Sequence, residues 1–236
     1  MALSSFSESN WWFQSLQDIW GRLAWRGRWQ VLAWSACAVG IPVFVQAPLV
    51  RAAPWVSLVW TLVWLGVAMH WLSCPRLRVR GELLYGFALT WLTGSLYWGW
   101  LRAEPLWHLP IEALAVPMAV WGLRRGWAPI GNSFYLGSLL GTMITDAYVW
   151  LVGLTPVWRQ VMSTPLENSS LHALLPEILG RMQSLPGILW AIELALVLAI
   201  AGWWGLKQGS LAAYAWSGAV LCTLVVDGLF FLSVRL

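Results

Sequence analysis

The sequence predicts an all-α fold: a polytopic membrane helix bundle of about seven transmembrane helices, with an N-terminal interfacial helix and an amphipathic loop helix on the outer face. Three observations carry that expectation. Of 236 residues, 59% are hydrophobic and 10% are charged, against about a quarter charged in ordinary soluble domains. Apolar stretches near the length that crosses a bilayer, about 20 residues, recur seven times and leave little chain between them. The 13 arginines and one lysine, Lys207, mostly flank those stretches, so the net charge of +4 marks orientation in a membrane rather than nucleic-acid binding. A soluble globular fold and a second domain are both excluded.

Residues 1–28 read as an interfacial segment. Trp12, Leu16, Ile19, Trp20 and Leu23 recur at helical spacing, with Gln14, Gln17 and Asp18 on the other face. It is not a signal peptide, because Arg22, Arg26 and Arg28 follow the apolar residues and no small-residue cleavage site appears. Residues 29–236 then form the transmembrane domain, with spans over 29–47, 54–72, 83–101, 106–123, 131–154, 187–206 and 211–234. Pro42 and Pro117 fall inside spans and are expected to kink them. Gly137 and Gly141 form a GxxxG spacing that lets another helix come close to the span carrying Asp146.

With the N-terminus in the cytoplasm, the inner segments hold nine Lys and Arg and the outer segments five. That bias follows the positive-inside rule and puts the C-terminus on the outer or lumenal side. The one long connection, 155–186, then lies on the outer face. There Leu171, Leu174, Leu175, Ile178, Leu179 and Met182 repeat at helical spacing, opposite His172, Glu177, Arg181 and Gln183. This predicts an amphipathic lid lying along the membrane and distorted by Pro176. Asn168-Ser169-Ser170 matches a glycosylation acceptor in pattern and reads as a helix cap.

Four carboxylates fall inside spans: Glu112, Asp146, Glu193 and Asp227. No Lys or Arg shares those spans, and an ionised acid in hydrocarbon costs several kcal/mol. Such residues must face the bundle interior, be protonated or bind a cation. Counted from the outer span ends they lie six to eight residues in, about 9 to 12 Å deep at the helical rise. Polar residues one turn away, His108 with Glu112, Thr142 with Asp146 and Thr223 with Asp227, extend the set. Gln46, Ser57, Thr61, Thr93 and Tyr97 stand at comparable depth, so a polar chamber beneath the outer lid is expected.

Three scattered cysteines, Cys37, Cys74 and Cys222, show no metal-type pairing, and no motif names a cofactor. His70 has no histidine partner at its depth, which argues against a bis-histidine haem. No P-loop, zinc motif or hydrolase triad is present, nor the aspartate-rich pairs of membrane prenyltransferases. Twenty-two tryptophans exceed what interfacial belts use, so many must face lipid or an embedded aromatic or polyene ligand.

The run PIGNSFYLGSLLGT over 129–142, followed by Thr145-Asp146 and Pro156-Val157-Trp158-Arg159-Gln160, resembles a family of uncharacterised integral membrane proteins of cyanobacteria. Their Trp-rich, Lys-poor composition and length are similar too. The resemblance implies a thylakoid or plasma membrane and brings no activity with it. More locally, Leu109-Pro110-Ile111-Glu112 resembles the Pro-x-Glu-Glu motif of the small seven-span lycopene cyclases, with Ala113 in place of the second acid. That resemblance implies acid chemistry on a polyene.

Three functions stay open. In the first, the chamber binds a lipophilic isoprenoid or pigment such as a carotenoid, quinone or chlorophyll, with acid/base chemistry on it. Glu112 would be the acid, His108 its tuning partner, and Asp146, Glu193 and Asp227, with Thr142 and Thr223, the ligand-binding and charge-stabilising groups. In the second, the same acids serve a proton-coupled or cation transporter. In the third, the protein is a non-catalytic accessory or assembly subunit of a photosynthetic membrane complex.

Overall fold

The computed structural model describes residues 27–163 and 170–233, without the side chains of 170–173 and 233. The interfacial helix expected over Trp12 to Leu23 and the cap expected at Asn168-Ser169 lie outside the described residues, as do Leu171 and His172 side chains. All regular structure among the described residues is helical. Five helices are long and apolar enough to cross a membrane: α1 (Gly27–Ala52), α2 (Pro54–Leu72), α4 (Pro105–Arg124), α8 (Leu185–Gln208) and α9 (Leu211–Ser233). A sixth arises if α5 (Pro129–Leu151) and α6 (Thr155–Ser163), bent by 106° at their junction, count as one span. This is a multi-pass integral membrane protein.

The remaining long helix is α3 (Arg78–Leu96), which continues as a π turn over Tyr97–Leu101. It is less apolar because it faces protein. Gly81, Glu82, Gly86, Thr93, Gly94, Ser95 and Tyr97 are all buried on it. The helices nearer the surface behave in the opposite way, with Trp55, Leu62 and Ile200 each 66–70% exposed. So much outward apolar surface suits lipid and not water.

Prolines set the irregularities. Pro42 cannot donate to a carbonyl one turn back, and α1 loosens there into a π turn, Pro42–Gln46. Pro54 opens α2 after the single non-helical residue Ala53. In α4 the chain runs through 3-10 turns at Pro105–Trp107 and Ala113–Ala115, so the expected kink at Pro117 is a change of helix type just before it.

Helix α5 is the hub, packed on α3, α4, α8 and α9. It crosses α3 at Gly86 and Gly131, where a Cβ on Gly131 would sit 2.0 Å from the Glu82 carbonyl oxygen. The GxxxG expectation holds: Gly137 and Gly141 admit α9, with Cβ positions 2.8 Å from Trp216 O and 2.1 Å from Thr223 Oγ1. Pro129 begins α5, whose first N–H groups have no intrahelical acceptor. Glu82 supplies one, accepting from Ile130 N at 2.9 Å, while its other oxygen meets Arg78 at 3.5 Å. Glu82, read from sequence as outside the spans, is therefore a buried cap for a neighbouring helix.

The connection after α5 holds two helices, α6 and then α7 (Ser170–Met182), where one was expected. Leu174, Leu175, Ile178, Leu179 and Met182 are half-buried while Glu177 is exposed, as the amphipathic pattern requires. Arg159 pairs with Glu104 at 3.0 Å, and Arg181 donates to Gly153 O at 2.8 Å. These bonds tie both helices to the bundle end formed by Ala53, Arg102 and Gly153.

Candidate functional site

Near that end, the short helical turn His108–Glu112 puts the two side chains one turn apart on one face of α4. His108 Nε2 lies 3.2 Å from Glu112 Oε1, and His108 Nδ1 lies 2.8 Å from Asp146 Oδ1 on α5. Both ring nitrogens thus meet a carboxylate, each from a different helix. The other Glu112 oxygen accepts from Thr142 Oγ1 at 2.7 Å, and Tyr135 Oη donates to the Glu112 carbonyl. Tyr135, Thr142 and Asp146 follow one another at spacings of seven and four, so one face of α5 meets this turn of α4.

Aromatic rings enclose the imidazole. Tyr97, on the π turn of α3, stacks on His108 with centroids 4.0 Å apart and planes 22° apart. Trp98 presents its edge to the same ring at 6.1 Å, and Trp158 of α6 packs on Trp98 at 6.0 Å. Trp158 is fixed by donating Nε1 to Arg102 O at 2.9 Å. The side chains of His108, Glu112 and Asp146 are 14%, 17% and 25% exposed. Asp146 Oδ2 is buried and has no hydrogen-bond partner.

The charges decide what such a cluster can do. An imidazolium donates to both carboxylates at once, which leaves a net charge of −1 in a poorly solvated site. One further proton, or one cation, neutralises it. An unpaired buried charge is costly while a balanced set is tolerated, so two ionised carboxylates around an imidazolium favour taking up one further positive charge. Asp146 Oδ2 is the open acceptor for it.

Of the residues expected from sequence, Glu112, His108, Asp146 and Thr142 come together here. Asp227 does not join them. It accepts from Thr145 at 3.0 and 3.3 Å between α5 and α9. Thr223 bonds its own helix at Ala219 O and packs against Gly141. Glu193 is exposed on α8. The within-helix pairs expected for Thr142 with Asp146 and Thr223 with Asp227 are replaced by bonds between helices, Thr142 to Glu112 and Thr145 to Asp227.

The wider chamber also divides. Gln46 Nε2 donates to Trp91 O at 2.6 Å and Ser95 Oγ at 2.9 Å, and Ser57 bonds Ser95 at 2.7 Å. This network joins α1, α2 and α3 apart from the histidine. Thr61 and Thr93 turn back onto carbonyls of their own helices. Of that polar set, Tyr97 alone is found against His108. Sequence reasoning missed Tyr135, Thr145, Trp98 and Trp158. The spacing of Tyr135 and Thr142 with Asp146 was a usable signal for the first. Among the described residues no three His, Cys, Asp or Glu side chains are disposed to hold a metal ion.

No curated protein and no solved structure matches the chain. The family described as "Protein of unknown function (DUF3120)" matches residues 35–235, which spans the bundle from α1 to α9 and includes every residue of the cluster. The chain belongs to that family.

Proposed function

We propose that the protein is a proton-coupled or cation transporter whose coupling site is the cluster of His108, Glu112 and Asp146. The observation that carries this reading is the two-sided clamp on His108, at 3.2 and 2.8 Å, by carboxylates of two helices. Uptake or release of one charge changes the attraction between α4 and α5, and that change is what couples an ion to helix movement. On this reading α3 completes seven spans. The positive-inside count sets the N-terminus in the cytoplasm and the cluster in the outer or lumenal half. The resemblance of the 129–142 run supports a thylakoid or plasma membrane of a cyanobacterium.

A second reading is favoured by the aromatic enclosure of His108 by Tyr97 and Trp98: acid/base chemistry on a bound isoprenoid or pigment such as a carotenoid or quinone. It is the weaker of the two because both Glu112 side-chain oxygens already meet His108 and Thr142. A carboxyl so engaged is an acceptor rather than a free proton donor to a polyene.

Proteoliposomes loaded with a pH-sensitive dye, under an imposed potassium diffusion potential, test the first reading. Wild type is expected to move protons faster than empty vesicles, and His108→Gln and Asp146→Asn to fall to the empty rate. Wild type no faster than empty vesicles, or unchanged flux in both variants, contradicts it. Under the second reading, a stoichiometric pigment or isoprenoid co-purifies and Glu112→Gln displaces it.

A further inference from the structure

We propose that an anionic membrane lipid binds at the opposite end of the bundle, where α8 turns into α9. An open groove of about 310 Å³ lies there between α5, α8 and α9, lined by Ser133, Trp204, Gly205, Gln208, Ser210 and Trp216. The volume is at the lower end of the range for ligand sites and suits a glycerophosphate headgroup. No acidic side chain is in its lining.

Its lining carries polar side chains able to donate, Ser133, Gln208 and Ser210. Ser210 Oγ accepts from Ala213 N at 3.1 Å, so its hydroxyl proton is available to a ligand. The indole N–H of Trp216 is buried without an acceptor. Its adjacent Cδ1 lies 3.0 Å from where a Cβ on Gly205 would be, so that edge of the ring packs on α8. Two cations stand on the same turn of chain, Arg28 beside Gly209 and Lys207 next to the lining residue Gln208 in sequence. Arg28 Nη1 lies 3.4 Å from a Cβ built on Gly209, between the lining residues Gln208 and Ser210. Lys207 Nζ sits 5.4 Å over the Trp203 ring. Donors and cations without a carboxylate recognise phosphate oxygens carrying a net negative charge. Below the groove, exposed Trp204, Ile200 and Val197 follow one another along α8 and offer an apolar track for an acyl chain. This site shares no residue with the histidine cluster and stands whatever that cluster does.

The test is native mass spectrometry of the whole protein released from nanodiscs holding equal phosphatidylglycerol and phosphatidylcholine with the same acyl chains. One phosphatidylglycerol per chain is expected to stay bound. Arg28→Gln lowers its retention about fivefold, Arg28→Lys restores most of it, and Lys207→Gln, at an exposed residue, supplies the same test if Arg28→Gln does not fold. Equal retention of the two lipids, displacement of phosphatidylglycerol by added inorganic phosphate, or unchanged retention in the charge variants overturns the site.

Discussion

Replacing His108 with leucine is expected to destabilise the protein by about 3–5 kcal/mol, the usual cost of breaking a buried ion pair by removing one partner. Glu112 and Asp146 would then face each other's helices without the imidazole that meets both, at 3.2 and 2.8 Å. The loss is expected to be largely reversed by adding Glu112→Gln and Asp146→Asn, because the neutral amides no longer need a counterion. Denaturation in mild detergent, read by tryptophan fluorescence, checks both halves. Equal stability of wild type and His108→Leu would mean that the carboxylates are already neutral and that no charge is clamped.

The second large effect is expected at the crossing of α3 and α5. Gly131→Ala puts a methyl 2.0 Å from the Glu82 carbonyl oxygen, a contact that backbone must move to relieve. Overpacking of this kind costs typically 1–3 kcal/mol, and about 3 is expected here because the obstacle is main chain. The same shift would pull Ile130 N from Glu82 Oε2, now at 2.9 Å. Gly66→Ala is the control, since a Cβ there meets nothing within 4 Å. A Gly131→Ala protein as stable as Gly66→Ala would show that the two helices are not held so close.

Much of the bundle was legible in the sequence because lipid selects composition directly. Spans such as 54–72 are apolar all round, and their surface residues, Trp55 and Leu62 among them, need no partner to be read. The helices that face protein were harder. Arg78, Arg80 and Glu82 moved the expected start of α3 to residue 83, whereas the helix begins at Arg78, with Glu82 buried to cap α5. The role of Glu82 depends on a residue 48 positions away, and no local pattern encodes it.

The site divides along the same line. His108 and Glu112 sit four apart on one helix, and their contact follows from helical geometry alone. The meeting of His108 with Asp146 depends on how α4 docks on α5, which the 3-10 turn at Ala113–Ala115 and Pro117 control. Depth along a span was a poor guide to company. Glu193 has the expected depth yet is exposed on α8, and Asp227 lies on the α9 side of α5 with Thr145. Depth fixes one coordinate of a residue, and rotation about the helix axis fixes the other.

The central claim is that His108, Glu112 and Asp146 act as one unit that exchanges a proton inside the membrane. Infrared difference spectra of the protein in lipid, recorded across pH in light and heavy water, test it most directly. A carboxyl band is predicted to appear on acidification, to be lost in Asp146→Asn and to change its midpoint in His108→Gln, because the imidazole meets both carboxylates. A carboxyl band that survives unchanged in both variants would contradict the account.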